Sequence, residues 1–158
     1  MTMRMILAVV VIAGVIFYFF TQANNSKAAK ENIEKGKLFL AENAKREGVI
    51  QTLSGLQYEI LTKSDNNEHP KANSKVTVHY HGTLINGTVF DSSVDRGETI
   101  SFGLNQVIKG WTEGVQLMTV GDKFRFYIPS QLAYGNRSTG KIVGGSVLIF
   151  DVELFEIN

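Results

Sequence analysis

The strongest constraint on the fold lies after Gly48, where short apolar segments with a period of two residues follow one another between turn residues. In the segment VTVHY at 76–80, every second residue is apolar or aromatic, as in a strand that turns one face to a core. Such segments predict a half-buried antiparallel sheet. The predicted strands are 57–62, 75–80, 88–91, 123–128 and 146–157.

Two further signals complete the prediction for this region. Asn86 and Gly87 lie between apolar neighbours and predict a type I′ hairpin turn, in which both central residues need a positive φ. Residues 106–119 have apolar side chains at helical spacing and predict one short helix packed on the sheet, weakened by Gly110 and Gly114. We therefore expect an α+β domain over residues 49–158.

The first twenty residues contain an uninterrupted apolar run at 6–20 that favours a lipid environment. Its length suits either a membrane anchor or the apolar part of a cleaved signal peptide. The bulky aromatics at 17–20 and the poor cleavage match at 21–23 favour an anchor. We expect residues 1–23 to be a signal-anchor or signal segment. The flanking charges barely indicate an orientation in the membrane.

Residues 24–48 are rich in Ala, Lys and Glu and predict a charged surface helix. Ser26 is a suitable N-cap, and Gly48 suits a left-handed C-terminal residue. The helix is expected to be a spacer, with a partner-binding or dimerising helix as the alternative. Its apolar residues are sparse, so a monomer is expected.

Composition excludes several functions. The net charge is +1, which gives no basic field for nucleic acid. Cysteine is absent, so thiol chemistry and disulfides are excluded. No nucleophile elbow or phosphate loop is present either. His79 and His81 share a strand face, but a stable zinc site needs three or four ligands, so exposed strand histidines are expected and no metal or other cofactor.

The remaining conspicuous residues are aromatic and aliphatic, and taken alone they indicate a hydrophobic core. Most of them occur, however, in five motifs, VTVHYHG at 76–82, GTVFDSS at 87–93, QVIKGW at 106–111, LAYG at 132–135 and LIFDVEL at 148–154. In order and spacing these motifs resemble the FKBP-type peptidyl-prolyl isomerases over roughly residues 54–158. The preceding segments 39–48 and 53–57 resemble the bacterial Mip-like branch of that family. This resemblance implies a single-pass protein of the bacterial inner membrane with its domain in the periplasm, or a periplasmic protein if the signal is cleaved.

The resemblance implies a twisted antiparallel β-sheet wrapped around one short α-helix, and a proline-binding pocket. It implies Trp111 as the pocket floor, and Tyr134 with the Ile108 backbone N–H as ligands of substrate carbonyls. Asp91 is implied to face the pocket, with Arg96 orienting it and Tyr80. Tyr80, Asp91 and Tyr134 are thus the expected catalytic residues. The other expected substrate-binding residues are Phe90, Ile100, Phe102, Val107, Ile142 and Phe150.

The resemblance also implies the activity and the partners. Peptidyl-prolyl isomerisation of exported or envelope proteins is the leading hypothesis, with proline-containing polypeptides as substrates and macrolides as possible inhibitors. A non-catalytic proline-peptide-binding module or chaperone is the alternative, and a structural envelope protein is a third. Asp91 either stabilises the charge of the twisted amide or holds Tyr80 and Arg96 in place.

Three positions depart from the family pattern. Ile100 stands where an aromatic is common, which should loosen one wall of the pocket. Gly144 and Gly145 stand where proline or a larger residue is common, which predicts a more flexible flap and weaker ordering of the substrate.

Overall fold

One seven-stranded antiparallel sheet forms the framework of the described chain. The structure, a computed structural model, describes the backbone of residues 3–158 and the side chains of residues 13–158. The strands are β1 Ile50–Gln51, β2 Gln57–Thr62, β3 Lys75–Leu84, β4 Val89–Ser92, β5 Ile100–Gly103, β6 Lys123–Ile128 and β7 Leu148–Ile157. The α-helices are α1 Met3–Asn43, α2 Ser93–Arg96 and α3 Lys109–Val115. The α+β prediction is confirmed.

The sheet has the order β1-β2-β6-β7-β3-β4, and β5 also pairs with β3. The last strand, β7, therefore lies in the middle, between β6 and β3. One edge of β3 pairs with β5 along its first half and with β4 along its second half. The connection between β4 and β5 contains α2, which is thus held against the middle of β3.

Helix α3 packs very closely on the sheet because its two glycines face β6. A Cβ on Gly110 would lie 2.5 Å from Cγ2 of Ile128, and one on Gly114 would lie 2.7 Å from Cε1 of Phe126. These glycines lower the intrinsic helix propensity, as predicted from the sequence. In the fold they allow the helix to approach the sheet closely, since a side chain at either position would displace the helix from the core.

Several local predictions were wrong in detail. No described non-glycine residue has a positive φ, so Asn86 cannot form a type I′ turn, and Gly87, with φ 85°, is the residue that does have one. The Gly87 N–H bonds the Leu84 carbonyl at 2.9 Å, which fits a longer loop with a glycine bulge. The helix predicted at 106–119 is limited to Lys109–Val115 and follows a 3-10 turn. The short strands β1 and β5 were not predicted.

The predicted anchor and the predicted spacer are parts of one continuous helix, α1. Because α1 continues from Met3 to Asn43, Ser26 lies inside it and is not an N-cap. Part of the predicted anchor, the side chains before residue 13, lies outside the described residues. None of the helices in the described part of the chain has the length and apolar character that a membrane span requires.

Candidate active site

The floor of the site is Trp111 on α3, which is 5 % exposed and surrounded by aromatic rings in edge-to-face contact. Its ring centroid lies 5.2 Å from those of Phe102 and Phe150 and 5.4 Å from that of Tyr80. Phe90 contacts Phe150 at 5.2 Å. Edge-to-face pairs of this kind are each worth about 0.5–1.5 kcal/mol beyond burial. The floor is therefore rigid.

Gly82 on β3 makes room for two of these rings. A Cβ at this position would lie 2.6 Å from Cζ of Phe90 and 2.8 Å from Cε1 of Phe150. The strand can thus pass directly behind the aromatic wall only because residue 82 is a glycine.

Above this floor lies an open cavity of about 670 Å³. Every residue predicted for the site lines it, except Arg96. Four further residues line it that were not predicted as site residues. The complete lining is Tyr80, Phe90, Asp91, Ile100, Phe102, Gln106, Val107, Ile108, Trp111, Tyr134, Thr139, Gly140, Lys141, Ile142 and Phe150.

Arg96 lies beside the cavity and acts on the groups that do line it. Its guanidinium donates one hydrogen bond to the Asp91 carboxylate and a second, of 3.1 Å, to the Tyr80 hydroxyl. The Tyr80 hydroxyl in turn donates to the other oxygen of Asp91. Both carboxylate oxygens are therefore engaged, which fixes the Tyr80 ring at the edge of the cavity.

The local sequence SSVDRG at 92–97 holds Arg96 in this position. Ser92 caps α2 by accepting a hydrogen bond from the Asp95 N–H at 3.1 Å, and Gly97 ends the helix with φ 74°. The buried Ser93 hydroxyl accepts the Tyr80 N–H at 2.8 Å, which fastens α2 to β3. The guanidinium is thus placed by a capped helical turn.

The same contacts determine the ionisation of the network. Burial is the largest influence on Asp91 and favours its neutral form, but the Tyr80 hydroxyl and the Arg96 guanidinium together outweigh burial and lower its pKa below the ordinary value. Burial and the neighbouring carboxylate raise the pKa of Tyr80. At neutral pH the cavity edge therefore contains a carboxylate that accepts hydrogen bonds and a phenol that keeps its proton.

Two residues that line the cavity carry donors with no acceptor among the described residues, the Ile108 N–H and the Tyr134 hydroxyl. Ile108 is the N-cap of α3, and Tyr134 is 42 % exposed. A peptide in the cavity could supply carbonyl oxygens to both.

The loop over the cavity, predicted to be a flexible flap, contains internal hydrogen bonds. Thr139 and Ile142 bond each other through both backbone groups, at 2.8 and 2.9 Å. The Gly145 N–H bonds the Gly135 carbonyl at 2.7 Å. A Cβ on Gly144 would lie 2.2 Å from the Asn136 carbonyl oxygen, so this glycine is required by close packing. Ile142 is 7 % exposed, in the cavity wall.

The residues that the sequence prediction missed are Gln106, Thr139, Gly140 and Lys141. Gln106 directly precedes the predicted Val107 and Ile108, and its position in that motif was an available signal. The other three belong to the loop that precedes Ile142, and no regular pattern in the sequence marks them.

His79 and His81 are half-buried, and the prediction that they are solvent-exposed was wrong. Nδ1 of each lies 2.9 Å from a serine hydroxyl of the β4–α2 corner, Ser93 and Ser92 respectively. Within residues 13–158, no group of three or more His, Cys, Asp or Glu side chains is placed to hold a metal ion.

This arrangement suits a reaction in which no bond is broken. The cavity has an aromatic floor and aliphatic walls, and its polar groups stand at the edge. Such a site can exclude water from a peptide segment, complement its shape and donate hydrogen bonds to its carbonyl groups.

Comparison with known proteins agrees with this geometry. Residues 66–155 match the family model described as FKBP-type peptidyl-prolyl cis-trans isomerase, and residues 13–60 match the domain amino terminal to it. The crystal structure of FkpA from Escherichia coli superposes with a TM-score of 0.92 at 38 % identity, covering 100 % of this chain and 74 % of that one.

Two curated relatives show the same likeness in sequence. The FKBP-type peptidyl-prolyl cis-trans isomerase FkpA of Aeromonas hydrophila is 58 % identical over 137 residues, which are 87 % of this chain and 51 % of the relative. The outer membrane protein MIP of Legionella longbeachae is 43 % identical over 136 residues, which are 85 % of this chain and 58 % of the relative. The chain thus spans about half the length of the curated relatives it matches. It belongs to the FKBP-type peptidyl-prolyl cis-trans isomerase family.

Proposed function

We propose that the chain is a peptidyl-prolyl cis-trans isomerase, an enzyme that accelerates rotation about X-Pro bonds. The observation that carries the proposal is the cavity of about 670 Å³ floored by Trp111, with hydrogen-bond donors among the residues that line it. Its volume lies within the range of roughly 300–1,000 Å³ typical of ligand sites. A proline ring on the indole, with the flanking carbonyls at the Ile108 N–H and the Tyr134 hydroxyl, is the arrangement it supports.

The chemistry needs neither acid, base nor nucleophile. An amide rotates over a barrier of about 18–20 kcal/mol because twisting removes its resonance. The twisted amide is less dipolar than the planar one, so an apolar cavity disfavours the planar form relative to the transition state. Each 1.4 kcal/mol or so of preferential binding gives about a tenfold rate increase. Several modest contacts therefore suffice.

Asp91 acts in this proposal chiefly by holding its neighbours. Both of its oxygens accept hydrogen bonds, one from Tyr80 and one from Arg96. A carboxylate engaged in this way fixes the wall against which the amide twists. Tyr80 and Asp91 shape the wall, and Tyr134 binds the carbonyl group.

A coupled peptide assay on the whole chain tests the activity. We expect wild type and the surface control Leu53→Ala to isomerise an X-Pro tetrapeptide equally, because Leu53 is fully exposed and does not line the cavity. The double variant Asp91→Ala with Tyr134→Phe should lose most of the activity. Absence of activity in the wild type, or undiminished activity in the double variant, would refute the proposal.

We propose exported or envelope proteins with X-Pro bonds as substrates, and attachment to the bacterial inner membrane through residues 6–20 with the catalytic domain in the periplasm. The apolar sequence of that run supports attachment, as does the exposure of its large side chains from Val15 to Phe20, which are 48–69 % exposed. Resistance of the chain to carbonate extraction, together with protease access in spheroplasts, tests both parts. Release of the chain into the soluble fraction would refute membrane attachment.

A chaperone-like binding function is the second candidate, and the apolar side chains on the outside of α1 favour it. Phe17 and Leu38 are 69 % and 71 % exposed, outside the cavity. Suppression of aggregation of an unfolded protein that persists in Trp111→Leu would support this function. If Trp111→Leu no longer suppresses aggregation, the unfolded protein binds at the isomerase site alone.

We further propose residues 49–158 as the isomerase domain, residues 24–48 as a helical spacer and a monomer as the functional form. Light scattering of the whole chain tests the last of these. A mass twice that of the 17.5 kDa chain would contradict it.

A further inference from the structure

One face of α1 carries a stripe of small buried residues. Ala29, Gly36 and Asn43 follow at seven-residue intervals and are the buried positions of a helix that is otherwise half-exposed or exposed over residues 13–43. Asn43 bonds the Gln57 side chain at 2.8 Å on β2. The other two contact a different part of the molecule, the segment 144–147 that ends the cavity loop. The helix is therefore docked at two places, at the sheet and at the loop.

The contact with the loop is closer than ordinary side chains would allow. A Cβ on Gly145 would lie 2.3 Å from the Ala29 carbonyl oxygen, and one on Gly36 would lie 2.8 Å from Cγ2 of Val147. The Asn32 side-chain amide donates to the Gly144 carbonyl at 3.1 Å. Glycine occurs on both sides of this contact, so the backbones of helix and loop approach directly.

The same loop forms part of the cavity wall a few residues earlier. Residues 139–142 line the cavity, and Ile142 is buried in its wall. Two hydrogen bonds hold the backbone of this segment in place. The Gly144 N–H donates to the Ser138 hydroxyl at 3.0 Å, and the Gly145 N–H donates to the Gly135 carbonyl at 2.7 Å. A displacement at 144–145 is thus transmitted through two hydrogen bonds to the segment that contains Tyr134 and Ile142.

We propose that α1 is a positioning element of the isomerase site, which holds the 139–145 loop in its substrate-binding geometry through Ala29, Asn32 and Gly36. This deepens the proposed function and rests on it. A simple spacer needs no backbone contact with the loop. A loop that is already ordered loses less conformational entropy when a peptide binds, so docking of the helix increases the affinity for the substrate.

The test compares one glycine substitution with a matched control in the whole chain. Gly36→Leu forces α1 away from Val147, which is buried and short and cannot move aside easily. Glu31→Leu places the same side chain on the exposed face of the helix. We measure kcat and KM for a Leu-Pro tetrapeptide, its Kd from the fluorescence of Trp111, the single tryptophan, and amide exchange at Gly145 and Leu154.

In Gly36→Leu we expect KM and Kd to rise about fivefold, as the loss of one or two ordering contacts implies. Exchange at Gly145 should become at least about tenfold faster, while exchange at Leu154, which bonds Asp122 in the core, stays as in wild type. Glu31→Leu should change none of these. Faster exchange at Gly145 with an unchanged Kd would overturn the proposal, since the site would then not depend on the helix.

A disulfide provides a second variant in case Gly36→Leu unfolds. A Cβ on Gly36 lies 4.0 Å from Cβ of Val147, within the range for a disulfide, and the chain has no other cysteine. In Gly36→Cys with Val147→Cys, oxidation should lower Kd about threefold relative to the reduced form, because the bond holds the helix on the loop. An equal Kd in both forms would also overturn the proposal. If wild type lacks activity, the proposed function fails, and Kd and exchange still decide whether α1 orders the loop.

Discussion

The Tyr80 hydroxyl donates its hydrogen bond to the Asp91 carboxylate across the hairpin that joins β3 to β4. The two residues are eleven positions apart, and each contributes to the cavity wall. The second carboxylate oxygen accepts from Arg96. The position of the phenol ring therefore depends on a carboxylate that is itself held by a guanidinium from α2.

Asp91→Asn should reduce kcat/KM only about fivefold, because the amide retains an acceptor of similar shape and the loss of one hydrogen bond costs about 1 kcal/mol. Asp91→Leu removes both acceptors and should reduce it more than tenfold. Ultraviolet titration should show a lower pKa of Tyr80 in Asp91→Asn, since the carboxylate raises that pKa in wild type. A loss in Asp91→Asn as large as in Asp91→Leu would instead indicate a direct electrostatic role.

Tyr134→Phe should reduce kcat/KM about three- to tenfold and leave the free energy of unfolding unchanged. The hydroxyl is at an exposed position and has no acceptor among the described residues, so removing it costs the folded protein nothing. A carbonyl hydrogen bond to substrate is worth about 0.5–1.5 kcal/mol. The peptide assay and urea denaturation provide the two measurements, and a fully active variant would exclude Tyr134 as a ligand of the substrate.

Asp122→Asn should lower the free energy of unfolding by about 2–4 kcal/mol without affecting activity. The Asp122 carboxylate is completely buried and accepts from the Lys63 ammonium at 2.7 Å and from the Ser64 and Thr119 N–H groups, both at 2.8 Å. In Asp122→Asn the side-chain amide nitrogen, itself a donor, would lie against some of these hydrogen-bond donors. Urea denaturation measures the loss, and a stable variant would show that the charge is not needed.

The stability of wild type should also fall in acid. Burial acts most strongly on Asp122 and favours its neutral form, but Lys63 and the two N–H donors outweigh burial and lower its pKa. Because the folded-state pKa lies below the unfolded value of about 3.9, the stabilisation is complete above that pH and is lost as pH falls through the folded-state pKa. The melting temperature should therefore drop more steeply below pH 4 or so in wild type than in Asp122→Asn.

Gly114→Ala should destabilise the domain by about 1–3 kcal/mol, although alanine is the better helix former. The new Cβ would lie 2.7 Å from the Phe126 ring, which is fully buried. Gly14→Ala is the matched control, since a Cβ there meets nothing within 4 Å outside its own helix. Thermal unfolding should show a loss for the first variant and none for the second.

The sheet was the most predictable part of the molecule. The bounds of β2 and β6 agree with the predicted 57–62 and 123–128, because alternating residues along a strand are a local signal. Strand β5 was missed because four residues, Ile100–Gly103, carry too little pattern. The turn at Asn86 was assigned wrongly because a dipeptide preference does not specify the length of the loop.

Most of the residues that line the cavity were predicted from motifs, but the motifs did not predict why the loop above it contains Gly144 and Gly145. Sequence alone suggested that Gly144 and Gly145 provide mobility. The structure gives them another reason, close packing against the Asn136 carbonyl and against the backbone of α1, which lies more than a hundred residues away along the chain. No periodicity in a single sequence records a contact of that kind, because it depends on the path of two segments through space.

The central position of β7 affects how the domain can be made. Without residues 148–157, the β1-β2-β6 half of the sheet and the half containing β3 have no strand between them. While only the residues before 148 have left the ribosome, the nascent chain therefore contains two sheet fragments without the strand that joins them. Folding of the domain must wait for its last strand, so during synthesis the nascent chain remains dependent on whatever keeps unfolded polypeptides from aggregating.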